Sequence, residues 1–169
     1  MITVDAIKAA AAGYWRYTRQ CPLIAFEAEL RGERADILAV DQDRFLIETE
    51  VKVDMGDFRR DKEKLKHKRM TAVDGRYPVN YFYFAVPKQM ANKVGYICDQ
   101  LYPYAGVLGV SGNTNAEVDV YRKGKRLKED RLTFLQISRM AKAQSATLCR
   151  LARDLSELRQ RSSREQETR

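Results

Sequence analysis

Between Leu46 and Val53 the chain alternates strictly. Leu46, Glu48, Glu50 and Lys52 fall on one side, and Ile47, Thr49, Val51 and Val53 on the other, which is the period of an extended strand. Such a strand buries its apolar side, and the opposite side then carries two carboxylates and an amine at successive positions. One reading is a solvated face whose surface pairs are worth at most about 1 kcal/mol; the other is a site assembled for chemistry. Upstream, Arg34–Val40 reads as a second strand with Asp36 near its start. The polar turn Asp41-Gln42-Asp43-Arg44 joins the two into a hairpin that brings Asp36 beside Glu50.

Two carboxylates and an amine in that arrangement suit phosphodiester chemistry. Magnesium takes oxygen ligands in octahedral geometry and keeps several waters, so Asp36 and Glu50, with the Val51 carbonyl, suffice to hold it. A divalent ion activates water and neutralises charge on the leaving oxygen. Lys52, on the same strand face, orients the attacking water or stabilises the transition state. Directly after this strand comes a run rich in Lys and Arg, expected as one helix from a cap at Asp57 to about Met70. Phe58, Leu65 and Met55 are its apolar anchors, so the rest is expected to be wet, His67 included. Arg59, Lys62 and Lys66 are the members expected to meet phosphates, with Lys62 and Lys66 facing the cleft.

At these residues the chain resembles the PD-(D/E)xK nuclease superfamily, with Asp36 as the first acid and Glu50-Val51-Lys52 as the ExK element. Gly32-Glu33-Arg34-Ala35-Asp36, Ile47–Val53 and Asp57-Phe58-Arg59-Arg60-Asp61-Lys62 look like its MmcB-type branch of DNA-repair nucleases, as do Tyr81–Pro87 and Ala105-Gly106-Val107-Leu108. The resemblance implies a restriction-endonuclease-like core and metal-dependent hydrolysis of DNA with Mg2+ or Mn2+. It also implies an assisting glutamate on the preceding strand, Glu27 or Glu29, with Glu27 as the candidate. Arg34 is a further residue expected to contact nucleic acid. A nucleic-acid-binding protein that keeps the fold without catalysis is the alternative.

The remaining chain supplies a frame for that site. Thr3 caps a helix through Ala6, Ile7, Ala10, Ala11, Tyr14, Trp15 and Thr18, whose three- and four-residue spacing makes one apolar face. Trp15 reads as core rather than as a platform for a base. Ile24–Leu30 is a strand, as are Val79–Val86, Ala105–Val110 and, at an edge, Glu117–Tyr121. Val73–Pro78 reads as a loop, Lys88 to about Gln100 as a helix, and Gly112–Asn115 as a turn. The order predicts an α/β protein: a central mixed sheet flanked by helices, with a long helix at the C-terminal end.

Length favours one domain, 1–122, followed by a basic turn and helix at 123–160 and a disordered tail at 161–169. The turn, Lys123-Gly124-Lys125-Arg126-Leu127-Lys128, offers Lys123, Lys125 and Arg126 to a nucleic acid. From Tyr121 onward, 14 Lys and Arg against 6 Asp and Glu hold an excess equal to the net +8 of the whole chain, which favours a polyanionic partner. Leu148, Leu151, Leu155 and Leu158 recur at three and four residues, a stripe that packs on its own chain or pairs two copies into a homodimer. No stretch approaches the roughly 18 uncharged apolar residues of a membrane span, and Met1–Ala12 lacks the basic start of a signal peptide. The expectation is therefore a cytoplasmic protein. Cys21, Cys98 and Cys149, odd in number and widely spaced, read as reduced thiols.

Overall fold

Six strands lie side by side in chain order: β1 (Leu23–Leu30), β2 (Glu33–Val40), β3 (Leu46–Val51), β4 (Tyr81–Pro87), β5 (Gly106–Ser111) and β6 (Glu117–Arg122). The computed structural model describes residues 2–72, 77–112 and 116–167, without the side chains of 161–167. Of the loop expected at Val73–Pro78 and the turn expected at Gly112–Asn115, positions 73–76 and 113–115 fall outside them, as do positions 1, 168 and 169. Short connections make β1, β2 and β3 antiparallel neighbours, and β5 and β6 likewise. Longer connections containing helices leave β3, β4 and β5 parallel. The protein is thus α/β with a mixed sheet, as its element order predicts.

Helix α1 (Val4–Gly13) starts where Thr3 Oγ1 accepts the Ala6 N–H at 3.2 Å, and a π-type turn extends it over Tyr14–Thr18. Its apolar side, Ile7, Ala11 and Trp15, packs on Ile37, Ile47, Val51, Ala85 and Leu108, which form one face of the sheet. Trp15 is core, and its indole N–H donates to Thr49 Oγ1 at 3.0 Å. That bond explains a threonine among the apolar positions of β3. Where β5 begins, packing is so close that a Cβ on Gly106 would stand 2.7 Å from the Gly124 nitrogen, besides meeting the Tyr83 ring.

The opposite face is built differently. Phe82 and Phe84 of β4 lie next to Glu48 and Glu50 in register. Phe84 meets Phe58 with centroids 4.9 Å apart and Tyr102 at 5.0 Å. Phe58 belongs to α2 (Met55–Arg60), which Asp54 caps by accepting the Asp57 N–H at 2.8 Å. The single helix expected to about Met70 is broken. A 3-10 turn (Asp61–Glu63) follows α2, Lys64 is extended at ψ 135°, and α3 (Leu65–Thr71) begins afresh. The expected burial is inverted too, because Leu65 is exposed whereas Lys66 and His67 are buried. Helix α4 (Lys88–Leu101) then leads into β5.

After β6 the segment 123–133 is an extended strap rather than a turn. Leu127 N–H donates to Asn80 O at 2.8 Å and Leu132 N–H to Arg44 O at 2.9 Å, while the Asn80 amide donates to the Lys128 and Asp130 carbonyls. The strap belongs to the first of two compact units, Met1–Thr133; the second is Phe134–Arg169. That unit is helix α5 (Phe134–Glu167). It begins at Phe134, within the span 123–160 expected to hold the basic turn and helix, and runs past Gln160 into the expected disordered tail, where no glycine or proline ends it.

Candidate active site

Every residue of β3 is buried, including the ionisable ones: Glu48 is 0% and Glu50 2% exposed, and Lys52, just after the strand, 5%. Removing a carboxylate from water costs several kcal/mol unless a counter-charge meets it. A solvated outer face is thereby excluded, and each acid has a basic partner. Lys66 Nζ binds Glu48 Oε1 at 2.7 Å and also reaches Glu50 Oε1. Lys64 Nζ lies 2.8 Å from both Glu50 Oε2 and Asp61 Oδ1. Lys52 Nζ lies 2.7 Å from Asp61 Oδ1, 3.3 Å from Asp57 Oδ2 and 3.8 Å from Glu50 Oε2.

The broken helix makes this possible. In an uninterrupted helix Lys66 would stand about 140° round the axis from Asp61, so the two could not face one strand. The extended Lys64 resets the phase, and Asp61, Lys64 and Lys66 all turn inward. His67 follows them: its Nε2 is 2.6 Å from Asp61 Oδ2 and its Nδ1 is 2.7 Å from the Tyr104 hydroxyl. With Asp61 ionised, Nε2–H donates to the carboxylate, and the Tyr104 hydroxyl is the hydrogen-bond partner of Nδ1. Burial alone would raise Asp61, but hydrogen bonds from His67 and Lys52 outweigh it and hold the carboxyl well below the usual range. Lys66 behaves oppositely to an isolated buried amine: burial pulls it down, and the two facing carboxylates more than restore it, so it stays cationic. Burial pushes Glu48 up against the pull of Lys66, and Tyr77, also raised by burial, lies against it.

A second, more open group lies across the hairpin. Ile37 pairs with Thr49, so Asp36 falls at the level of Glu50. Its Oδ2 accepts the Val51 N–H at 2.8 Å, placing the carboxylate against the Glu50–Val51 peptide. Its Oδ1 is 3.0 Å from Lys8 Nζ of α1, and Lys8 also binds Glu27. Glu27 falls opposite Asp36, between the pairs Phe26–Ile37 and Ala28–Ala35, whereas Glu29 pairs with Arg34 in the backbone register. Glu27 has a left-handed backbone at φ 50°, and Arg34 Nε meets its Oε2 at 2.8 Å. Of the two glutamates, Glu27 is the one beside Asp36.

These oxygens suit a hard divalent cation in kind. Glu27 and Asp36 already converge on one ammonium, and Glu50 and Asp61 on another, so a cation has two places where paired carboxylates attract it. The donors stand as pairs: among the described residues no three His, Cys, Asp or Glu side chains surround one ion position. Lys8 and Lys64 occupy the two places where these carboxylates converge.

The basic residues expected to contact nucleic acid are scattered. Arg34, Arg59 and Lys62 are exposed. Lys66 is wholly buried against Glu48 and Glu50, so its expected contact with a phosphate is corrected to an internal counter-charge. Lys123, Lys125 and Arg126 are exposed on the strap, which is tied to Arg44, Leu46's neighbour Asn80 and the start of β4. Glu50 and Lys52 are at the other end of β3. Arg126 pairs with Glu129 at 2.6 Å and covers the Phe45 ring. Lys8, Asp61, Lys64, His67 and Tyr104 were not anticipated from the sequence. The available signal was charge balance, since a buried strand face with two acids demands more than the single Lys52.

No protein-family model matches the chain, and no curated protein is similar to it. Among solved structures it is similar to SPO1766, a protein of unknown function from Silicibacter pomeroyi, with a TM-score of 0.60 and 15% identity over 92% of each chain. That likeness carries the fold across almost the whole length. None of the helices is long and apolar enough to cross a membrane, among the described residues.

Proposed function

We propose that this protein is a metal-dependent nuclease that hydrolyses phosphodiester bonds in DNA, in repair, recombination or processing, with the PD-(D/E)xK resemblance as its basis. The observation that carries the reading is the Val51 N–H bond to Asp36, which brings the acid of β2 to the ExK end of β3. Asp36 and Glu27, which converge on Lys8, would hold Mg2+ or Mn2+, with Glu50 and the Val51 carbonyl as the further donors that the resemblance implies. The ion, when bound, supplies an activated water and charge for the leaving oxygen. Asp36 is oriented for its part by a backbone donor. Lys52 presents a fixed ammonium, anchored by Asp61 at 2.7 Å, to orient water or meet charge on the phosphate. Asp61 acts through Lys52 and is a positioning residue, as is His67 behind it. Exposed Arg34, Arg59 and Lys62 supply attraction for the polyanion.

The test is cleavage of supercoiled, linear and branched DNA with Mn2+ by wild type and Lys52→Ala. Nicking by wild type that the variant loses, with DNA binding kept, supports the assignment. Cleavage retained by the variant refutes the role of Lys52. One observation favours a second reading, a nucleic-acid-binding protein without catalysis: both Glu50 oxygens are held by lysines, a closed arrangement that neutralises the central acid. DNA binding with a steep salt dependence and no cleavage of any substrate by wild type would put that reading first.

A further inference from the structure

We infer that two copies of this chain associate through α5 as a parallel, in-register coiled coil. The helix spans 34 residues, about 50 Å at 1.5 Å per residue, and its sequence keeps a seven-residue repeat from Phe134 to Leu158. With Phe134 at position a, the further a positions are Ala141, Leu148 and Leu155. The d positions are Ile137, Gln144, Leu151 and Leu158. Seven of these eight are apolar, and the four leucines are 50–65% exposed, a seam that water solvates poorly.

A second copy suits the seam better than an unrelated surface because the flanking charges are self-complementary. In a parallel pair, position g of one helix faces position e of the next heptad on the other. Asp154 is a g residue and Arg159 is the following e residue, so each copy meets the other with opposite charge twice. The other g and e residues through Ala152, Met140, Thr147, Ser138 and Ser145 among them, are uncharged and add no repulsion. Arg139, Lys142, Arg150 and Arg153 all fall at b, c or f, away from the seam. Gln144, the single polar residue at a or d, fixes the register, because a slip by one heptad would set it against Ile137 or Leu151 of its partner.

Sedimentation equilibrium of the full chain at about 50 µM is expected to give twice the monomer mass, and Leu151→Asp with Leu155→Asp to give a monomer with an unchanged sheet signal in circular dichroism. Because the substitutions lie on the helix surface, a lost sheet signal would be replaced as a test by the milder charge reversal. Asp154→Arg is expected to weaken the dimer about fivefold, from two lost pairs, and adding Arg159→Asp to restore it. A wild-type monomer at that concentration, whether or not it floats with anionic vesicles, overturns the inference. A trimer or larger species overturns the commitment to two copies, and a charge reversal that is not rescued overturns the parallel register.

Discussion

Two groups of carboxylates, one on β1 and β2 and the other on β3, are neutralised in contrasting ways. Glu48 and Glu50 are sealed, their side chains 0% and 3% exposed, with a wholly buried Lys66 between them. Glu27 and Asp36 remain partly open at 35% and 23%, and the lysine between them comes from α1. Coulomb attraction is strong in the sealed group because no water screens it, and so is the penalty for losing a partner. In the open group solvent can replace a lost partner. The wholly buried Glu48–Lys66 pair is therefore a structural anchor, and the open group is the one whose lysine solvent can most readily replace.

Lys66→Met should have the largest effect. It leaves two acids buried without their shared counter-charge and should cost about 3–5 kcal/mol in urea unfolding. Lys8→Met, the equivalent change in the open group, should cost about 1 kcal/mol or less. Equal losses would erase the distinction between the groups.

Asp61→Asn sharpens it by adding pH. The folded carboxyl is held below its ordinary range, so its contribution is present above the unfolded value near 4 and is lost as pH falls further. The stability difference between wild type and Asp61→Asn, about 3 kcal/mol at neutral pH, should shrink as pH is lowered below about 4. A difference constant from pH 7 to pH 3 would mean that Asp61 is not ionised in the fold. Tyr104→Phe, which removes only the hydroxyl behind His67, should cost about 1 kcal/mol in the same assay.

The sheet was legible because β3 and its neighbours obey period two and because Pro22, Pro87 and the polar turns mark their ends. The hairpin pairing of Asp36 with Glu50 followed from the same pattern, as did Trp15 in the core. What escaped was the interior of 57–71. Seven lysines and arginines at Arg59–Arg69 look like a wet helix surface when periodicity is the guide, yet Lys66 is buried and Leu65 is not. The placement is decided by acids on a distant strand, a long-range term that local pattern cannot carry. The strap was hidden for a related reason: its backbone bonds go to Asn80, Tyr104 and Arg44, residues far away in the chain. Lys8 lay unnoticed in an alanine-rich helix because nothing local announces that it reaches Glu27 and Asp36.

The most direct measurement is calorimetric titration of Mn2+ into wild type, Asp36→Asn and Glu48→Gln without DNA, each checked for folding by circular dichroism. If Asp36 holds the ion and Glu48 serves only to anchor Lys66, wild type and Glu48→Gln bind Mn2+ and Asp36→Asn does not. No binding by folded wild type, or binding lost as fully in folded Glu48→Gln as in Asp36→Asn, would contradict the account.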